Sequence, residues 1–238
     1  MDKCVACGDC EEVCPVIIPD KFDEGLTTHP AIYRPFDFAV PNKHLINPES
    51  CILLNSEIWK CGRCIEACKE DAIDFEQEPE EVEFEVDTII VATGYDIFNP
   101  SEKKVYGYDK FDNVLTGLEM ERMIVRAAEG NPIRDLGKRI GFIQCVGSRD
   151  EQVGREYCSR ICCMYATKLA SLLKHSDSTR DVYIFYTDLR AFGKGFEEYY
   201  KRAQKMGIKF IRGRVAEVIG NSNNKRLTLK VEDTLTRQ

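Results

Sequence analysis

Twelve of the 238 residues are cysteine, and their spacing constrains the fold more than any other property of the chain. The first four form the run Cys4-x2-Cys7-x2-Cys10-x3-Cys14-Pro15. In such a run three closely spaced thiolates wrap one corner of a cubane iron-sulfur cluster, and the fourth reaches across to a second cluster. A complementary half follows: Cys51, then Cys61-x2-Cys64-x3-Cys68, with Ala72-Ile73 just beyond, where a closing strand is expected. Exchanging the fourth cysteines gives one site from Cys4, Cys7, Cys10 and Cys68, and another from Cys14, Cys51, Cys61 and Cys64.

This spacing is that of bacterial ferredoxins, and it predicts an α+β two-cluster domain over residues 1–79. Structural zinc prefers paired C-x2-C knuckles separated by a spacer, not three cysteines at intervals of three. The second run departs from the common pattern in that nine residues separate Cys51 from Cys61, and Lys69 replaces the usual proline. Disulfides are disfavoured, because no signal peptide is evident and these spacings in an intracellular chain read as metal binding. Thiolate-held clusters need a reducing compartment, so a cytoplasmic location is expected.

Hydrophobic residues make up 43% and charged residues 31%, an ordinary balance for a globular chain of one or two domains. A net charge of −7 argues against nucleic acid as a partner. The longest apolar run, Thr88 to Thr93, is strand-sized, so no membrane span is expected.

Residues 15–50 hold six of the nine prolines, which largely excludes regular helix, while Phe22, Tyr33, Phe36 and Phe38 predict a wrapped, packed segment. Beyond residue 80, Glu83 to Asp87 alternates polar and apolar, and the β-branched run Thr88 to Thr93 before Gly94 predicts a strand buried on both faces. Apolar periodicity predicts helices over Leu118–Glu129, from about Glu156 to Lys174, and over Phe196–Met206. Strands are predicted at Arg139–Gln144, Val182–Tyr186, Ile208–Ile211 and Leu227–Val231. This alternation over residues 136–211 argues a Rossmann-like, doubly wound α/β domain.

A dinucleotide-binding unit normally carries G-x-G-x-x-G after its first strand. Here that turn reads Cys145-Val146-Gly147-Ser148-Arg149-Asp150, and Cys158-x3-Cys162-Cys163 follows it. Adjacent helical residues point about 100° apart, so Cys162 and Cys163 suit a cluster better than a disulfide. The competing use of these four is as small buried hydrophobes.

The runs Gly141-Phe-Ile-Gln-Cys-Val-Gly-Ser-Arg-Asp-Glu151 and Tyr157-Cys-Ser-Arg-Ile-Cys-Cys-Met-Tyr-Ala166, with Ala31-Ile-Tyr-Arg-Pro-Phe36 and Ala39-Val-Pro-Asn42, resemble the A-type subunits of heterodisulfide reductases. The resemblance covers essentially the whole chain. It implies a thioredoxin-reductase-like flavoprotein with a ferredoxin domain inserted in its FAD-binding fold, residues 80–135 being the remainder of that FAD-binding domain and a linker and residues 136–238 an NAD(P)-domain-like Rossmann unit. It further implies a third [4Fe-4S] cluster on Cys145, Cys158, Cys162 and Cys163, and FAD passing close to Thr93 and Gly94. No glycine-rich turn precedes Cys4 and no closing segment follows Leu227 to Val231, so the chain is expected to be an internal or split piece of such a subunit, with an incomplete FAD domain. Implied partners are other heterodisulfide reductase subunits of the B and C types, a hydrogenase- or formate-dehydrogenase-linked iron-sulfur subunit, ferredoxin, the remainder of the same polypeptide, and a second copy in a homo-oligomer.

Lys168, in a helix rich in Met164, Leu169, Leu172 and Leu173, is the candidate cation beside a reduced flavin; the alternative is a lysine snorkelling to solvent. Glu119 and Glu121 are weaker candidates for the same pocket, and His29, His44 and His175 are not expected as ligands. The function expected is electron transfer between FAD and [4Fe-4S] clusters, with flavin-based bifurcation as an extension. The alternative is a ferredoxin-type carrier joined to a non-catalytic α/β docking scaffold.

Overall fold

The computed structural model describes residues 3–56, 58, 60–78, 81–221 and 224–235. They divide into two units, Met1–Thr93 and Gly94–Gln238.

Unit 1 is built of very short elements. In order they are α1 (Asp9–Glu12), β1 (Ile17–Pro19), β2 (Thr28–Pro30), β3 (Ile32–Tyr33), β4 (Leu45–Ile46), α2 (Ile52–Asn55) and α3 (Arg63–Ala67). β1 pairs antiparallel with β2, and β3 with β4. The prolines have the expected effect, since residues 15–50 hold only these ribbons and no helix. Phe22 stacks on Phe36 at 5.1 Å and Tyr33 on His29 at 3.8 Å, whereas Phe38 points outward and is 89% exposed. Ala72 and Ile73 form no strand; the Ala72 amide instead donates to Cys68 Sγ at 3.4 Å.

The expected strand Thr88–Thr93 is not formed either. Its β-branched residues have the right local propensity, but a strand exists only by pairing, and no other described strand reaches it. Ile89, Ile90 and Val91 are consequently 78%, 87% and 78% exposed.

Unit 2 contains α4 (Gly117–Ala128), β5 (Arg139–Ile143), α5 (Cys162–Ser176), β6 (Asp181–Tyr186), α6 (Phe196–Lys205), β7 (Lys209–Arg212), β8 (Val215–Asn221) and β9 (Asn224–Val231). β5, β6 and β7 form a parallel sheet in that order, linked through α5 and α6, as the alternation predicts. Val182 and Ile184 face the helices, packing with Leu169, Leu173, Ala203 and Ile208. Tyr183 and Phe185 face the opposite side, against Tyr106, Val215, Val218 and Leu229. A strand buried on both faces has to be apolar at successive positions, which explains the uninterrupted run in β6.

The second face differs from a doubly wound sheet. It is covered by the antiparallel hairpin β8–β9, not by helices. α4 is closed at its start by a capping box, in which Thr116 Oγ1 accepts from the Glu119 amide at 3.1 Å and Glu119 Oε2 accepts from the Thr116 amide at 2.6 Å.

α5 begins at Cys162, later than the predicted start near Glu156. The intervening backbone is committed elsewhere: the Arg149 amide donates to the Tyr157 carbonyl at 2.9 Å, and the Ser159 amide to Ser148 Oγ at 3.0 Å. Arg160 at φ 69° then breaks any helical path.

Candidate metal centres

All twelve cysteines are free thiols, and they sort into three groups. Cys4 and Cys7 lie on the loop that enters α1, Cys10 lies in α1 itself, and Cys68 caps the end of α3, its amide bonding the Cys64 carbonyl at 3.1 Å. α1 packs against α3. Beside Cys68, Lys69 reaches Asp9 of α1 at 3.1 Å. Cys10 is buried; desolvation, with the charges of Glu11, Cys7 and Cys4 adding to it, pushes its thiol up to about 12. Three sulfurs therefore share one neighbourhood, and the fourth follows the helix packed against it.

The second group comes together as a recess in unit 1. It is lined by Cys14, Cys51, Cys61 and Cys64 together with Val16, Ile32, Ile46, Leu53 and Phe75. These four sulfurs come from both cysteine runs, in the combination that exchange of the fourth ligands requires. Burial, then the nearby Cys51 and Cys61, raises the Cys64 thiol.

The third group lies in unit 2. Cys145 opens the turn after β5 with φ 61°, a left-handed backbone that a non-glycine residue adopts at some cost. Gly147 follows at φ 64°, and a Cβ there would meet the Phe98 ring at 2.1 Å, so the one remaining glycine is required by close approach. Cys162 and Cys163 open α5, and Cys158 stands on the loop before it. Desolvation, with Cys162 and Cys158 adding to it, raises the Cys145 thiol. The neighbouring Cys163 thiol lowers Cys162, while Cys162 and then burial raise Cys163. The four thiols thus feel one another electrostatically across three separate backbone segments.

Among the described residues no group of three or more His, Cys, Asp or Glu side chains is arranged to hold a metal ion. Ligands of a cubane occupy separate corners and do not converge on one atom, so donor chemistry decides the fit. Four thiols around an apolar recess, and four more on three neighbouring segments of unit 2, two of them buried, are donor sets suited to thiolate-held iron and sulfide.

Lys168 is half exposed, and its ammonium lies 2.8 Å from Glu121 Oε1. Burial raises the Glu121 carboxyl, but hydrogen bonds from Lys168 and Tyr165 outweigh it and leave the group below its usual value. Glu119 is occupied by the capping box and by Tyr108 at 2.9 Å. Thr93 and Gly94 lie on exposed irregular backbone where the two units divide.

Two polar features beside the thiols have no signature in the sequence. His44 brings Nδ1 to 3.9 Å from Cys4 Sγ and Nε2 to 2.8 Å from Glu11 Oε1, so a histidine that is no expected ligand still touches the first group. Arg149, inside the run Gly147-Ser148-Arg149-Asp150, is held by Asp188 at 3.0 Å. Only the high density of polar residues in that turn marks it out.

No family model matches the chain. Curated proteins do. The chain is 51% identical over 98% of its length to the A-type subunit of the H(2):CoB-CoM heterodisulfide,ferredoxin reductase of Methanothermobacter thermautotrophicus, of which it spans 35%. It is likewise 51% identical over 98% of its length to the A-type iron-sulfur subunit of the CoB--CoM heterodisulfide reductase of Methanocaldococcus jannaschii, again spanning 35%. With the A-type subunit of the ferredoxin/F(420)H(2)-dependent CoB-CoM heterodisulfide reductase of Methanosarcina acetivorans the identity is 44% over 98% of the chain, covering 29% of that protein. The chain thus spans about a third of the length of these relatives.

Proposed function

We propose, from the premise that this chain corresponds over 98% of its length to a portion of the A-type subunit of heterodisulfide reductase, that it is the electron-transfer portion of an oxidoreductase. In this reading Cys4, Cys7, Cys10 and Cys68 hold one [4Fe-4S] cluster, Cys14, Cys51, Cys61 and Cys64 a second, and Cys145, Cys158, Cys162 and Cys163 a third. Such clusters exchange single electrons, and FAD converts between electron pairs and single electrons.

The observation that carries the reading is the recess in unit 1, which brings together four cysteines from two runs separated by a long proline-rich segment. The residues' own work there is to supply thiolates and to exclude water with Val16, Ile32, Ile46 and Phe75. Thr93 and Gly94 are the proposed backbone contacts of FAD, and Lys168 its cation, with Glu121 holding the ammonium in place.

Relatives' names refer to ferredoxin, H2, formate and F420H2. By extension the partners proposed here are ferredoxin, subunits of the B and C types, a hydrogenase- or formate-dehydrogenase-linked protein, the remainder of the same polypeptide and a second copy. Bifurcation at the flavin is part of the same proposal. No helix among the described residues is long and apolar enough to cross a membrane.

Iron and acid-labile sulfide analysis of anaerobically prepared protein tests the assignment. Three cubanes require about twelve irons and as many sulfides per chain. About eight would restrict electron transfer to unit 1 and leave unit 2 as a docking scaffold, while zinc without sulfide would overturn the reading altogether.

A further inference from the structure

We propose that Arg149 is the positioning residue of the third cysteine group, tying together the segments that deliver its thiols and fixing a positive charge beside them. This rests on the reading of Cys145, Cys158, Cys162 and Cys163 as cluster ligands.

The first support is connectivity. Arg149 stands four residues past Cys145 on the same turn, its amide donates to the carbonyl of Tyr157 at 2.9 Å, and Tyr157 immediately precedes Cys158. Its side chain pairs through Nη2 with Asp188 Oδ2 at 3.0 Å, and the Asp188 carbonyl accepts from Cys163 Sγ at 3.7 Å. One residue therefore touches the segment of Cys145, the segment of Cys158 and the loop that contacts Cys163.

The second support is the charge. Arg149 Nη1 is buried and has no hydrogen-bond partner among the described residues. A buried guanidinium nitrogen left without an acceptor is costly unless negative charge lies nearby. Asp188 on Nη2 supplies part of that charge, and the segments of Cys145 and Cys158 that Arg149 bridges bring their thiols within its electrostatic reach. The backbone carries the same signature: Cys145, Arg149 and Arg160 are three of the six non-glycine residues with positive φ among the described residues, and all three fall in this site. Arg214 completes the cage, donating from Nη1 to the Arg149 carbonyl at 3.3 Å while Nη2 pairs with Asp150 at 3.0 Å.

A cluster on four thiolates gains one negative charge for each electron it takes up, so a fixed cation beside two of those thiolates favours the reduced form. Removing the cation moves the potential of that cluster alone to more negative values.

The test uses the whole chain, prepared anaerobically, as wild type, Arg149→Met and Arg149→Lys. Iron content, the thermal transition of unit 2 and a dithionite titration followed by electron paramagnetic resonance are recorded for each. The expected result is one of three potentials displaced negatively in Arg149→Met with the other two unchanged, and a partial return in Arg149→Lys. Loss of about four irons from Arg149→Met with an unaltered thermal transition also supports the role, through the tether instead of the charge. Three unchanged potentials at full iron content overturn the proposal while leaving the cluster assignment intact. Iron loss together with a collapsed transition in both variants overturns it in favour of a purely structural role. About eight irons in the wild type removes the third cluster, and this role with it.

Discussion

The cysteines of unit 1 and those of unit 2 rest on different kinds of support. In unit 1 the helices are four, four and five residues long and the strands two or three. Both hydrophobic core clusters lie in unit 2, where Leu169, Leu173, Val182 and Ile184 are fully buried. On the proposed ligand sets, a unit with so little apolar core is expected to gain most of its stability from what its cysteines bind, because ligand binding and folding are then one equilibrium. In unit 2 the thiols border a scaffold that has an apolar core of its own and is expected to stand without them.

The largest expected effect follows directly. Stripping iron from the anaerobic protein with a chelator unfolds unit 1, so that amide exchange becomes fast and proteases cut within residues 15–50. Unit 2 retains its helices and a cooperative thermal transition. Protection of residues 15–50 that survives complete iron removal would erase the contrast.

The reverse perturbation comes next. Leu173→Ala empties a fully buried position in the helix layer and lowers the stability of unit 2 by about 4 kcal/mol, within the range for buried leucines. Denaturant unfolding followed by far-ultraviolet circular dichroism measures it. The iron held by unit 1 remains; its loss would mean that the two units share their stability.

Much of unit 2 is legible in the sequence because its signals are local. The apolar run of β6 and the period of α4 are written in adjacent residues, and both elements form within a residue or two of the predicted bounds. What failed depended on distant partners. Thr88 to Thr93 has the composition of a buried strand, but composition does not supply a neighbouring strand to pair with. In the first turn predicted for α5 the Ser159 amide goes to Ser148 Oγ and the Tyr157 carbonyl to the Arg149 amide, a competition between segments that no helical period records. The covering of the sheet's second face by a hairpin was equally invisible, since Leu227 and Leu229 pack across the sheet much as a helix would. The first two cysteine groups are expected from spacing and the third from the family resemblance, whereas Arg149 and His44 are single residues in irregular segments and leave no pattern.

A smaller effect separates the charged edge of unit 2 from its core. Asp150 is 3% exposed and accepts from Lys103 at 2.9 Å and from Arg214 at 3.0 Å. The Lys103 ammonium beside it holds its carboxyl below the ordinary value of 3.8. Asp150→Asn leaves Lys103 buried without its counter-charge and costs about 3 kcal/mol, at the low end for a broken buried pair because Arg214 stays partly solvated. A depressed carboxylate stabilises the folded state above its unfolded value and loses that contribution as pH falls through its folded one. The gap between wild type and Asp150→Asn therefore holds at neutral pH and narrows below pH 3.8. Chemical denaturation of unit 2 at several pH values reads this out, and a gap independent of pH would show that the charge of Asp150 is not what stabilises the turn.

The smallest effect tests whether unit 2 stands without its cysteines down to its individual helices. Thr116→Ala removes the acceptor for the Glu119 amide at the start of α4, a loss of about 1 kcal/mol. α4 packs against α5, which carries Cys162 and Cys163 at its first turn. If the scaffold is independent of the thiols, Thr116→Ala costs the same in the iron-loaded and the iron-free protein, because the cap lies on a helix that carries none of the proposed ligands. A cost that grows when iron is removed would mean that the third cysteine group, like the first two, helps to hold its own unit together.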